Sequence, residues 1–171
     1  MSRDEDDDGT PTGFLTDAKR AARVQSALYE IAATASSASD LAELYAAIHA
    51  ILGSFLYARN LSISLHEKER ERLRFPYFVD EKDSAPESLP FGRGLIERVL
   101  TSGRPLHVGC DEHDALVLDG ALEARGAPFV DWLGVPLRAG GPPFGVLALK
   151  CYSEETRFSP ADEEILTFVS H

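Results

Sequence analysis

Residues 129–152 read FVDWLGVPLRAGGPPFGVLALKCY. Two apolar runs, 129–137 and 144–152, flank a turn made of glycine and proline. Runs of this kind around a tight turn form a long antiparallel hairpin. That hairpin commits the chain to a mainly antiparallel sheet, and everything else must be arranged around it.

A second hairpin is written upstream. In NLSISLHE, Leu61, Ile63 and Leu65 alternate with Ser62, Ser64 and His66, the period of a half-buried strand. A charged turn, EKERER, leads into RLRFPYFV, where Leu73, Phe75, Tyr77 and Val79 alternate with Arg72, Arg74, Pro76 and Phe78. Pro76 has no amide proton for a ladder bond, so this strand is predicted to lie at an edge or to carry a bulge. EKDSAPESLP reads as a loop, and Leu106 with Val108 as a short strand.

Helices account for the rest. From Thr16, Val24, Ala27, Leu28 and Ile31 keep a three-four spacing, and Leu41, Leu44, Tyr45, Ile48, Leu52 and Phe55 do so after a Ser39-Asp40 cap. Leu95, Ile96, Val99 and Leu100 mark a third helix. Gly103 is placed to end it in the left-handed conformation, and Pro105 cannot extend it. A fourth is predicted over 111–125. A fifth opens at Ser159-Pro160, with Asp162, Glu163 and Glu164 on the positive end of its dipole. Residues 1–15 are expected to be an acidic disordered tail, and 16–171 one domain. The last helix has no C-cap signal, which reads as a segment cut from a longer chain.

The totals narrow the functions. The chain of 171 residues has a net charge of −11, the wrong sign for nucleic acid or anionic lipid. No apolar run nears the ~20 residues of a membrane span, and no secretory signal opens the sequence, so a cytoplasmic setting is expected. Two cysteines, Cys110 and Cys151, are too few for a disulfide framework.

The order of these elements resembles the GAF domain, a sensory module related in shape to PAS domains. The resemblance is carried by YARNLSISLHEKERERLRFPYFVDE, by FGRGLIERVLTSGRPLHV, and by the stretch from DWLGVPL to the FxxxDE helix start at Phe158. It implies an α+β fold. An antiparallel sheet of five to six strands would have the N- and C-terminal helices on one face, and loops and short helices over the other. Cyclic-nucleotide-binding members carry Asn-Lys, a gap, then Phe, three residues and Asp-Glu. Lys150, Phe158, Asp162 and Glu163 match that pattern, but Leu149 stands where asparagine would be. These four are expected to brace helix against sheet, with Lys150 paired to Asp162. Bilin-binding members attach chromophore through Cys-His. Here Asp111 follows Cys110 and Tyr152 follows Cys151, so no covalent bilin is expected.

HVGCDEHD sets His107, Cys110 and His113 at intervals of three, ligand types that suit zinc. On a helix that spacing would gather them on one side. Pro105 and the strand-like LHV argue against a helix, so the segment reads as a solvated loop and no metal is expected. Cys110 at a helix start would be acidified, as a thiol nucleophile requires, and free methionine sulfoxide reductases are thiol enzymes of GAF fold. Cys151 looks too far away to resolve such a thiol. No nucleophile elbow, phosphate loop or zincin motif occurs.

The resemblance places a ligand in the hollow between sheet and roof. Candidate lining residues are Ser62, Ser64, Phe78, Phe91, Arg93, Cys110, His113 and Trp132. Ser62 and Ser64 could equally face solvent, and Trp132 could be plain core. The implied function is a non-catalytic sensory input module of a signalling protein, with a histidine kinase or diguanylate cyclase as typical host. It would dimerise through its terminal helices and pass the ligand state to an output domain. The alternatives are a thiol-dependent GAF enzyme and a ligand-free dimerisation module.

Overall fold

The computed structural model describes residues 12–171. The expected tail lies outside the described residues up to residue 11, and helix α1 (Thr12–Ser37) starts four residues before the predicted Thr16. The order continues α2 (Leu41–Phe55), β1 (Asn60–Glu67), β2 (Arg72–Val79), β3 (Ser88–Pro90), α3 (Leu95–Ser102), β4 (Leu106–Gly109), α4 (Cys110–Leu118), β5 (Asp131–Leu137), β6 (Gly145–Cys151) and α5 (Pro160–Val169). The strands form one six-stranded sheet in the order β3-β2-β1-β6-β5-β4, and every pairing is antiparallel.

The central strands are buried on both faces. Odd-numbered Leu61, Ile63, Leu133, Val135, Leu147, Leu149 and Cys151 form one core with Val24 of α1, Leu52 of α2, and Ile165 and Leu166 of α5. Even-numbered Trp132, Val146 and Ala148 form a second with Val99 of α3 and Phe129. The three long helices thus take one face, and α3 with the loops takes the other.

Pro76 explains an irregularity in β2. Ile63 pairs with Tyr77 but Leu65 pairs with Arg74, so Phe75 and Pro76 together oppose Ser64. This is a β-bulge, placed where the strand cannot donate. It overturns the simple alternation expected for RLRFPYFV. Phe75 and Phe78 come to the same face, their rings 6.1 Å apart, and Tyr77 turns toward His49 of α2. Past Arg74, β2 has no partner in β3.

Local signals set the helix ends. Asp40 accepts the Glu43 amide. Gly103, at φ +63°, closes α3. Ser159 and Asp162 complete a capping box at α5. Two further expectations fail. The SAPESLP loop contains β3, a strand of three residues. The helix predicted over 111–125 stops at Leu118, where the Val117 carbonyl accepts the Gly120 amide and the Leu116 carbonyl accepts those of Ala121 and Leu122. Leu118 is left exposed, and Leu122 is buried outside the helix.

Ser159→Ala removes one half of the α5 capping box while touching neither core. We expect a loss of about 1 kcal/mol in chemical denaturation.

Candidate ligand-binding cavity

The face opposite the three long helices is incompletely filled. α3 covers Trp132, Val146 and Ala148, but the roof beside it consists of chain segments 80–90 and 119–130. Between roof and sheet lies a cavity of about 550 Å³. That is within the range of small-molecule sites.

Its floor comes from strand alternation. Ser62, Trp132, Ala148 and Lys150 all project from this face. The Trp132 indole lies across Gly134, where any larger residue would meet the ring. The bulge adds Phe75 and Phe78, and the roof adds Leu95, Ile96 and Phe129.

Two charged clusters border this apolar wall. In the first, Lys150 Nζ lies 2.8 Å from Asp83 Oδ2 and 3.6 Å from Asp80 Oδ2. The Tyr152 hydroxyl donates to Asp80 Oδ1 at 2.7 Å. The Ala127 amide donates to Asp83 at 2.8 Å, so one carboxylate joins both roof segments to β6. Gly126, at φ +73°, is required there, since a Cβ would stand against that carboxylate. In the second cluster, Arg125 Nη1 reaches Glu97 Oε1 at 2.6 Å and Nη2 reaches Glu123 at 3.1 Å. The Gly92 amide donates to the same Glu97 oxygen.

Burial works to raise the Asp83 carboxyl. The Lys150 ammonium, the Ala127 amide and the Tyr152 hydroxyl outweigh it and hold the group below the ordinary aspartate value. Burial and the neighbouring Asp80 and Asp83 push the Tyr152 hydroxyl far up, so it remains a donor.

The residues singled out from sequence divide evenly. Ser62, Phe78, His113 and Trp132 line the cavity. Ser64, Phe91, Arg93 and Cys110 do not. Ser64 is buried opposite the bulge and donates to the Val146 carbonyl. Phe91 stacks on His66, with centroids 4.3 Å apart. Arg93 reaches outward to the Gly120 carbonyl and Glu123, its side chain 66% exposed. Cys110 begins α4 with its thiol toward Asp111.

The expected pairing of Lys150 with Asp162 does not form. Lys150 projects from the cavity face of β6, whereas Asp162 sits on α5 across the sheet, bonded to Ser159. Phe158 is buried in the helix-side core, its amide donating to Asp131, and Glu163 lies in the first turn of α5. His107, Cys110 and His113 are not brought together. His107 bonds Asp131 on the helix side, beside Phe158, while His113 packs against Phe129 on the cavity side. Among the described residues no three His, Cys, Asp or Glu side chains form a metal-binding group.

Sequence reasoning missed Asp80, Asp83, Glu97, Glu123 and Arg125. One signal pointed toward the first two. Lys150 is the lone charge in an apolar strand and needed a carboxylate on its own face.

The GAF domain model matches residues 40–171. The chain belongs to the GAF domain family. None of the curated proteins compared matches it. Among solved structures, this GAF domain is similar to that of a phosphoenolpyruvate-protein phosphotransferase (ptsP) from Coxiella burnetii. The TM-score is 0.70 at 20% identity, covering 88% of this chain and 89% of that one. It is also similar to free methionine-R-sulfoxide reductase from Neisseria meningitidis, solved with its substrate, at TM-score 0.66 and 20% identity over 89% and 88% of the chains. A third is the GAF domain of a two-component sensor histidine kinase from Bacillus halodurans, at TM-score 0.58 and 14% identity over 78% and 90%. At these identities the likeness concerns the fold. No helix among the described residues is long and apolar enough to cross a membrane.

A folded-state value below the ordinary one means that ionised Asp83 stabilises the fold above about pH 4, and that this is lost as pH falls through the folded value. Asp83→Asn should therefore cost about 2 kcal/mol at pH 7. The gap from the unsubstituted domain should narrow below pH 4, as read by denaturation across a pH series.

Proposed function

We propose that this GAF domain is a small-molecule-sensing input module of a signalling protein. The observation that carries the reading is the cavity. It is walled by aromatic and aliphatic side chains, bordered by fixed charges, and set on the sheet face away from the long helices. A molecule bound there would touch β6 at Ala148 and Lys150. The alternate residues Leu147, Leu149 and Cys151 pack beneath α5 and α1. Occupancy and helix position thus share one strand. A ligand that prefers one arrangement of the two shifts the population by its differential affinity alone.

In this reading α1 and α5, which pack on each other, form the dimer contact and carry the state to an output domain such as a kinase or cyclase. The setting is cytoplasmic and the domain itself is non-catalytic. The thiol-enzyme alternative has less to build on. Cys110 lies outside the cavity, and Cys151 is buried with its thiol on the Ser153 and Thr156 carbonyls. Cys110→Ser should leave ligand response intact, and methionine sulfoxide turnover that disappears in that variant would restore the alternative.

Trp132 is the single tryptophan and lines the cavity, so its fluorescence reports occupancy. A ligand at 100 times its dissociation constant should change that fluorescence and raise the thermal midpoint by about 5–10 °C. A broad metabolite panel that moves neither signal defeats the sensing role.

A further inference from the structure

Building on the reading of the cavity as a ligand site, we propose that it takes an organic ammonium ion with an apolar body, its cation held by Asp80. The lining carries four carboxylates, Asp80, Asp83, Glu97 and Glu123, against Lys150 and Arg125, and Arg93, just outside the lining, meets Glu123 at 3.6 Å, so one negative charge is left in excess, at the Asp80 and Asp83 pair. Both lining cations are already engaged. Lys150 lies 2.8 Å from Asp83, and Arg125 is divided among Glu97, Glu123 and the Pro90 carbonyl. The start of α3 borders the cavity at Gly94, but Glu97 already complements it. An anionic ligand would have to break one of these pairs and then sit among surplus negative charge.

Asp80 is the group left incomplete. Its side chain is only 5% exposed. Oδ1 accepts the Lys82 amide at 2.9 Å, the Asp83 amide at 2.8 Å and the Tyr152 hydroxyl at 2.7 Å. Oδ2 has no hydrogen bond among the described residues, and its nearest cation, Lys150, stays at 3.6 Å. A buried carboxylate oxygen normally has a donor. A ligand N–H at hydrogen-bond distance would supply one, charge-assisted, and would neutralise the excess. The rest of the wall suits the remainder of such a molecule. Phe75, Phe78, Phe129 and Trp132 offer ring faces that attract cations and accept hydrocarbon.

The test uses three probes on one skeleton: 2-phenylethylammonium, 2-phenylethanol and phenylacetate. Each is titrated by calorimetry and Trp132 fluorescence at pH 7. The ammonium should bind about tenfold tighter than the alcohol, and phenylacetate weakest. Asp80→Asn keeps the Oδ1 acceptor for its turn and removes the charge. It should lower ammonium affinity about tenfold and alcohol affinity much less. Tighter binding of phenylacetate, or ammonium affinity untouched in Asp80→Asn, overturns the ammonium assignment and leaves ligand sensing standing. Silence from all three probes and from the metabolite panel removes both. Should Asp80→Asn fail to fold, the order of the three probes on the unsubstituted domain decides.

Discussion

The structure depends on a hairpin that is apolar on both faces. β5 and β6 bury six consecutive residues, 131–136, and five, 145–149, respectively. Such strands cannot leave one side in water, so the sheet must be covered twice. On one side the covering is three amphipathic helices that interlock with the odd-numbered residues. On the other it is an eight-residue helix, the three-residue strand β3 and mostly irregular chain on either side of them. Irregular chain packs less completely than a helix. The cavity is the space that this unequal covering leaves.

Much of the fold was legible because its signals are local. The cap residues Asp40 and Ser159, the terminator Gly103, the two-residue period of β1 and the apolar runs of β5 and β6 each act within a few positions. Pro76 was informative for the same reason, since a missing amide proton restricts where a strand can run. The bulge itself, and the facing it gives Phe75 and Phe78, depends on which β1 residue lies opposite, and that is a tertiary matter. β3 was unreadable because three residues have no period. α4 stops short because carbonyls near its end turn to serve the following loop.

The candidate site was half legible. Strand parity put Ser62 and Ser64 on one face but did not say which face met the cavity, and only Ser62 lines it, since Ser64 is buried opposite the bulge. The charged rim could not be placed. Asp83 and Lys150 are 67 positions apart, and Glu97 and Arg125 are 28 apart. Their meeting follows from the path of the roof segments, which no periodicity encodes. The family pattern misdirected Lys150 for a related reason. It gives sequence order without sheet face, and the parity of β6 sends Lys150 away from α5.

The bulge in β2 also bears on how chain length can vary. Phe75 and Pro76 together occupy the place of one residue opposite Ser64. Losing either would restore ordinary pairing and leave Leu73 and Phe78 looking the way they look now. Loss of a residue closer to Val79 would instead swing Tyr77 from its α2 neighbours into the hollow. Loss of one residue from this strand is therefore compatible with the present facing of its neighbours at the bulge and not beyond it.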